Sequence, residues 1–248
     1  MREKSTAFAL IGDRYHNSDY IRTALGKTLV QGAGLSIDFT DDVTLLNADT
    51  LQGYQFLILF RDGMVWPNGY PMPQAGAEPV VSVPPEPATE TTTAYWMTPA
   101  QGAAVKEFVA AGGAALLYHN VTYIATDNAN FRAVLGAATE GHPPVRPFKV
   151  QITNPDHPIT RGVDAFVVAD EQHYLVYDGA PEAVLLRSVN EDGLTFKGLG
   201  TSCEAGWAYE YGRGRVCYLA PGHTIAALWN PAYVQIQQNA VRWLLREI

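Results

Sequence analysis

Apolar residues fall along this chain in short unbroken runs, each followed by a helical rhythm. Residues 6–11 read as a buried strand that ends in Gly12-Asp13. Over 19–30, the spacing of Ile21, Leu25 and Leu29 predicts a helix closed by Gly32 and Gly34. Residues 35–39 and Phe56–Phe60 supply the second and third strands. Unbroken apolar runs, as opposed to alternating ones, belong to parallel strands covered on both faces. Thr98-Pro99 opens a helix with a cap and a first-turn proline, Val105, Phe108 and Val109 form its inner face, and Gly112-Gly113 ends it. Ala114–Tyr118 is the fourth strand, with His119-Asn120 at its carboxyl end, and 130–135 reads as a short helix.

Beyond Phe148 shorter strands dominate, over 148–153, 165–169 and 183–189. A hairpin of 206–211 and 215–219 turns through Gly212-Arg213-Gly214. The closing helix spans 231–246, with Tyr233, Ile236, Ala240, Val241 and Leu244 inward. The pattern predicts an α/β fold: a flavodoxin-like three-layer α/β/α domain over 1–248, with a mostly parallel central sheet and a C-terminal β-hairpin. Residues 62–97 interrupt it, because Trp66-Pro67-Asn68-Gly69-Tyr70-Pro71 and Val83-Pro84-Pro85-Glu86-Pro87 sustain neither a helix nor a central strand. An irregular stretch of that length reads as a lid-like insertion. Its aromatics, Trp66, Tyr70, Tyr95 and Trp96, suit a cover over a polar small molecule. They suit a surface excursion or a dimer contact equally well, which leaves a homo-oligomer open.

Composition narrows the classes. With 47% hydrophobic and 17% charged residues in 248, the chain has ample material for a core. A net charge of -8 argues against nucleic acid or an anionic membrane as partner. The apolar run after the polar start is too short for a signal-peptide core, and no run approaches the roughly 18 residues of a membrane span. Cys203 and Cys217 flank the hairpin, could face each other across it, and read as reduced packing thiols. The expected location is the cytoplasm.

In open α/β sheets chemistry gathers beyond the carboxyl ends of the strands. There stand Asp13, Arg14, Tyr15 and His16, then Arg61 and Asp62, then His119 and Asn120, and finally His223. Three of the six histidines therefore aim at one rim. Each has a plainer role available, such as bonding backbone at a helix start or closing a turn. Glu171 is a candidate acid, base or ligand in the run Asp170-Glu171-Gln172-His173-Tyr174, where His173 is ambiguous, while His142 and His157, beside prolines, read as solvated surface groups. The candidate catalytic set is His16, His119, Glu171 and His223. Arg14, Tyr15, Arg61, Asp62, Asn120, His173, Trp66 and Trp96 are candidates for holding substrate. His16, His119 and His223 could bind zinc or another divalent ion, although none has diagnostic short spacing, and they suit metal-free acid–base work as well. The Gly-x-Ser-x-Gly elbow, the phosphate loop and the dinucleotide fingerprint are all missing from the sequence.

Several of these segments, in this order, resemble the ThuA-like (trehalose utilisation) family: Gly12-Asp13-Arg14-Tyr15-His16, the helix-Gly-Gly-strand pattern ending at His119, Asn154-Pro155-Asp156-His157-Pro158-Ile159-Thr160, Asp170-Glu171-Gln172-His173-Tyr174, Gly212-Arg213-Gly214-Arg215-Val216 and Pro221-Gly222-His223. The resemblance covers about residues 7 to 246 and implies the class I glutamine amidotransferase-like superfamily. There a nucleophilic cysteine follows a central strand and a histidine follows a late one; here those positions match His119 and His223, so glutaminase activity is not expected. The resemblance also implies a role with disaccharides or their oxidised keto forms, and a histidine cluster that binds metal in some members. Two readings follow: an enzyme acting on a small-molecule carbohydrate through the His/Glu cluster, or a non-catalytic sugar-binding or regulatory domain that kept the cleft and lost the nucleophile. The insertion over 62–97 departs from shorter members of the family.

Overall fold

A computed structural model of the chain describes residues 6–67 and 92–248. The first half alternates strand and helix: β1 (Ala7–Ile11), α1 (Ser18–Leu25), β2 (Ile37–Thr40), α2 (Ala48–Leu51) and β3 (Phe56–Phe60). A two-residue pair, β4 (Met64–Val65) and β5 (Ala94–Tyr95), follows, then α3 (Pro99–Ala110), β6 (Ala114–Tyr118) and α4 (Ala129–Leu135). The second half carries β7 (Ala137–Gly141), β8 (Arg146–Ile152), β9 (Phe166–Asp170), β10 (Tyr174–Tyr177), β11 (Val184–Val189), β12 (Ser202–Tyr211) and β13 (Gly214–Leu219). Helices α5 (Ile225–Leu228) and α6 (Pro231–Leu244) close the chain.

Nine strands form one sheet in the order β2-β1-β3-β6-β13-β12-β11-β8-β9. The first five are parallel, in the flavodoxin-like order, and the last four are antiparallel. Every residue of β1, β3 and β6 is buried. The reason is that α1, α5 and α6 pack as one helical layer and α2, α3 and α4 as the other. Helix starts follow the local chemistry: Thr98 and Gln101 form a reciprocal capping box on α3, and Asn230 with Pro231 opens α6. The predicted helix over 19–30 is present as α1 followed by a π-helical turn, Gly26–Gln31. Phe108, expected on the inner face of α3, is only half-buried. Strands β7 and β10, which pair with each other, and helices α2 and α5 carried no clear sequence signal.

The antiparallel half curls. Four strand intervals separate β13 from β9, about 19 Å in a flat sheet. Yet the His223 N–H, just past β13, donates to the Asp170 carboxylate at the end of β9 over 3.0 Å. The hairpin β12–β13 places Cys217 opposite Ala208, whereas Cys203 pairs with Ser188 of β11, so the two thiols do not face each other. Both are buried and unbridged. Most of the aromatic insertion, residues 68–91 with Tyr70 among them, lies outside the described residues; its two ends pair as β4 and β5. No helix among the described residues is long and apolar enough to cross a membrane.

Candidate functional site

Turns after four strands build one cavity. After β1 the chain turns at Gly12, whose φ is +85° and where a Cβ would stand 2.6 Å from that of Ser18. Only glycine meets both conditions. Asp13 follows, and its carboxylate accepts from the N–H groups of Tyr15 (2.8 Å), His16 (3.0 Å) and Asp62 (3.0 Å) and from Asn120 Nδ2 (2.6 Å). After β6 comes His119 at φ +49°, a left-handed conformation that costs a non-glycine residue on the order of 1 kcal/mol. It is held by the Tyr218 hydroxyl, which donates to the His119 carbonyl over 2.7 Å. After β13, Asp170 clasps the N–H groups of His223 and Thr224 at 3.0 and 3.1 Å. The same clasp sets Glu171, the next residue after Asp170, against the imidazoles.

His16 Nε2 lies 3.1 Å from His119 Nε2 and 3.1 Å from His223 Nδ1. Glu171 completes the cluster, Oε2 standing 3.3 Å from His119 Nε2 and Oε1 3.2 Å from His223 Nδ1. Two tautomers follow from the outer partners. His119 Nδ1 is 2.7 Å from the Ala220 carbonyl, which only accepts, so that nitrogen carries the hydrogen. His16 Nδ1 faces the Asp13 carboxylate at 2.9 and 3.1 Å and carries its hydrogen toward that charge, while the Asn120 amide nitrogen, 2.8 Å from the same Nδ1, donates to Asp13 Oδ2. When neutral, the two rings turn bare Nε2 lone pairs toward each other, an arrangement that repels unless a cation or proton lies between. Donors around zinc, with bonds of about 2.0–2.1 Å, stand about 3.3 Å apart in a tetrahedron. Four of the distances among these groups, 3.1–3.3 Å, are close to that spacing, and Asp13 and Ala220 supply the outer contacts that orient such ligands.

The cavity measures about 370 Å³ and is also lined by Tyr15, Asp62, Met64, Asn120, Tyr123, His142 and His173. Hollows of about 610 and 590 Å³ open elsewhere, but neither contains a histidine, and it is convergence of titratable groups, not size, that marks a site.

A family model described as trehalose utilisation matches residues 9–244. The chain belongs to the ThuA family. Solved structures of ThuA-like proteins share the fold. One from Bacteroides uniformis is 18% identical, with 98% of this chain and 93% of that chain covered and a TM-score of 0.65. One from Parabacteroides merdae is 15% identical, with 96% and 90% covered and a TM-score of 0.66. A β-galactosidase from Rahnella sp. R3 contains a similar fold in 32% of its chain, covering 99% of this one at 16% identity and a TM-score of 0.56. No protein of curated function matches by sequence.

Burial and charge tune the groups of this ThuA-family site in opposite directions. Burial pushes the Glu171 carboxyl up, but the imidazoles of His119, His173 and His223 around it outweigh burial and hold the group far below the usual carboxylate range. Burial pulls His16 down despite Asp13 beside it, and pulls His173 down further. At His223 burial is outweighed by Glu171, and its pKa rises. Asp13 is also held low, because the hydrogen bond and charge of His16 overcome burial. Asp62 goes the other way, pushed up to about 7 by burial and then by the negative charge of Asp13.

Of the residues singled out from sequence, His16, His119, Glu171, His223, Tyr15, Asp62, Asn120 and His173 meet at this cavity. Arg14 and Arg61 line a separate polar hollow by Gly12 and Asp41, where Arg61 donates to the Gly12 carbonyl. Trp66 packs edge-on against Tyr15 with ring centroids 5.7 Å apart. Trp96 is buried, and its Nε1–H donates to the Asp62 carbonyl over 2.6 Å, so it anchors the turn and does not line the cavity. His157 is half-buried against Trp243, not solvated. His142 is the larger correction. It lines the cavity because β7 and β10 pair Gly141 with Tyr174, which brings it beside His173. No local pattern announces a pairing across that separation.

Proposed function

We propose that this ThuA-family chain is an enzyme of carbohydrate catabolism, acting on a disaccharide or its oxidised keto form and lacking glutaminase activity. One observation carries the reading: in a family described by trehalose utilisation, His16 stands 3.1 Å from both His119 and His223, and these two stand 3.3 and 3.2 Å from Glu171, at one cavity. These four residues would hold a divalent ion such as zinc. A bound ion would polarise a carbonyl or hydroxyl oxygen of the sugar. Asp13 fixes the tautomer of His16, and the Ala220 carbonyl that of His119. Asp62, whose proton leaves near neutral pH, is suited to give or take a proton at a sugar oxygen. Asn120 Oδ1, buried with no donor among the described residues, suits a sugar hydroxyl. In this reading the protein works in the cytoplasm, as a monomer or homo-oligomer, without nucleic acid or membrane.

His119 at the left-handed turn, where the related amidotransferases carry a cysteine, favours the second reading of a sugar-binding domain without catalysis. The two cysteines are no substitute, since burial pushes Cys203 up to about 12 and raises Cys217 as well. The test is zinc-restored protein incubated with disaccharides and their keto forms, products read by NMR and binding by calorimetry. Turnover supports the enzyme. Saturable binding without turnover gives the binding-domain reading, and neither binding nor turnover removes both. Ammonia release from glutamine that disappears in His119→Ala would overturn the lack of glutaminase activity.

A further inference from the structure

Glu171 has more imidazole around it than a single four-coordinate ion uses. His16, His119 and His223 form one group. Beside it, with the His173 ring centroid 4.2 Å from that of His119, the Nε2 atoms of His142 and His173 each stand 3.5 Å from Glu171 Oε2. The donor atoms of this second group lie within 4.8 Å of one another, and the two rings stack with centroids 4.8 Å apart and planes 14° from parallel.

Two independent features give the group a direction. His142 Nδ1 is 3.0 Å from the Pro143 carbonyl, which can only accept, so Nδ1 carries a hydrogen, and in the neutral ring the Nε2 lone pair faces a carboxylate. Lone pair against anion repels unless a positive species lies between them. His173 is 2% exposed, and neither of its ring nitrogens has a hydrogen-bond partner among the described residues. Leaving a buried polar atom unpaired costs about 1–3 kcal/mol, an arrangement native structures keep where a further ligand meets the atom. The spacing of 3.5 Å is close to the separation of about 3.3 Å between donors on a zinc-like ion.

We propose that His142, His173 and Glu171 form a second divalent-cation site adjoining the first, with the Glu171 carboxylate bridging the two ions. The proposal rests on the reading of His16, His119 and His223 as ligands of the first. Nitrogen and carboxylate donors select first-row ions such as zinc or manganese over calcium or magnesium. Three protein donors fall short of a four-coordinate shell, and Asp62 and Tyr123 line the same cavity. Adjacent ions suit two neighbouring oxygens of one ligand, such as the carbonyl and hydroxyl of a keto-sugar.

The test is stoichiometry. Metal-stripped full-length protein is titrated with zinc against a chromophoric chelator, and the dialysed product is measured by elemental analysis. Wild type is expected to take two zinc ions per chain and His142→Gln one. Manganese-loaded wild type is expected to give the electron paramagnetic resonance signal of a coupled pair, and His142→Gln that of an isolated ion. Position 142 is half-exposed, so the variant should fold; should circular dichroism show otherwise, the wild-type stoichiometry and manganese signal decide alone. One zinc per wild-type chain, lost in His16→Gln and kept in His142→Gln, overturns the second site and leaves the first. A single ion weakened by both substitutions also overturns it, because all the imidazoles would then share one ion. No zinc in wild type overturns both sites.

Discussion

Replacing Asp13 by asparagine changes one atom at the hub of the site, and the structure sets the size of the effect. The carboxylate accepts at Oδ1 from the N–H groups of Tyr15 and His16, and at Oδ2 from the Asp62 N–H and Asn120 Nδ2, while His16 Nδ1 lies within reach of both oxygens. A carboxamide has one oxygen. Turned to keep Tyr15 and His16, it points its NH₂ at the Asp62 N–H and the Asn120 amide, so two hydrogen bonds to a charged acceptor are lost. At about 1.5–3 kcal/mol each, that predicts about 3–6 kcal/mol of destabilisation, toward the lower end because the Asn120 amide can turn. Against burial, the hydrogen bond and charge of His16 hold the Asp13 pKa low, so its contribution is fully present above the unfolded value near 4 and is lost as the pH falls through the folded one. The deficit of Asp13→Asn should therefore be full at pH 7 and shrink in acid. Zinc affinity should fall about 10–100-fold, since the contact that orients His16 is weakened. Guanidinium denaturation of metal-free protein and a zinc competition titration measure the two effects. A variant within about 0.5 kcal/mol of wild type, the range of ordinary surface changes, that also binds zinc as tightly would refute the role of Asp13 as organiser.

Asp62 carries the opposite sign. Its folded pKa of about 7 lies above the unfolded value, so the folded state holds a proton that the unfolded state has lost, and stability falls as pH rises from about 4 to 7. Asp62→Asn should remove that component, on the order of a few kcal/mol; parallel stability–pH curves for wild type and variant would count against a protonated Asp62. At Gly222 an added Cβ would lie 2.7 Å from the His119 Cβ and 2.8 Å from Phe60 Cζ. Gly222→Ala should cost about 1–3 kcal/mol and weaken zinc binding by displacing His119, and unchanged affinity would show that the His119 position is not critical.

The parallel half of the sheet was legible residue by residue. Ala7–Ile11, Phe56–Phe60 and Ala114–Tyr118 are unbroken apolar runs because helices cover both their faces, and strands so covered share a direction. His16, His119 and His223, each just past the end of such a strand, were therefore readable as neighbours on one rim although 207 positions separate the outer two. The rest of the site was not readable this way. Periodicity reports which face of an element meets a core, not which distant element supplies that core. Glu171 reaches the imidazoles only because the antiparallel strands curl until Asp170 meets the loop after β13. His142 joins them only because β7 and β10 pair, and a proline beside it makes the same residue look like a surface group. Trp96, an aromatic in an irregular stretch, turned inward because its indole N–H found the Asp62 carbonyl. Local sequence determined the strands and the ends where chemistry gathers; long-range pairing and sheet curvature decided which side chains meet there, because both depend on contacts between segments that carry no record of each other.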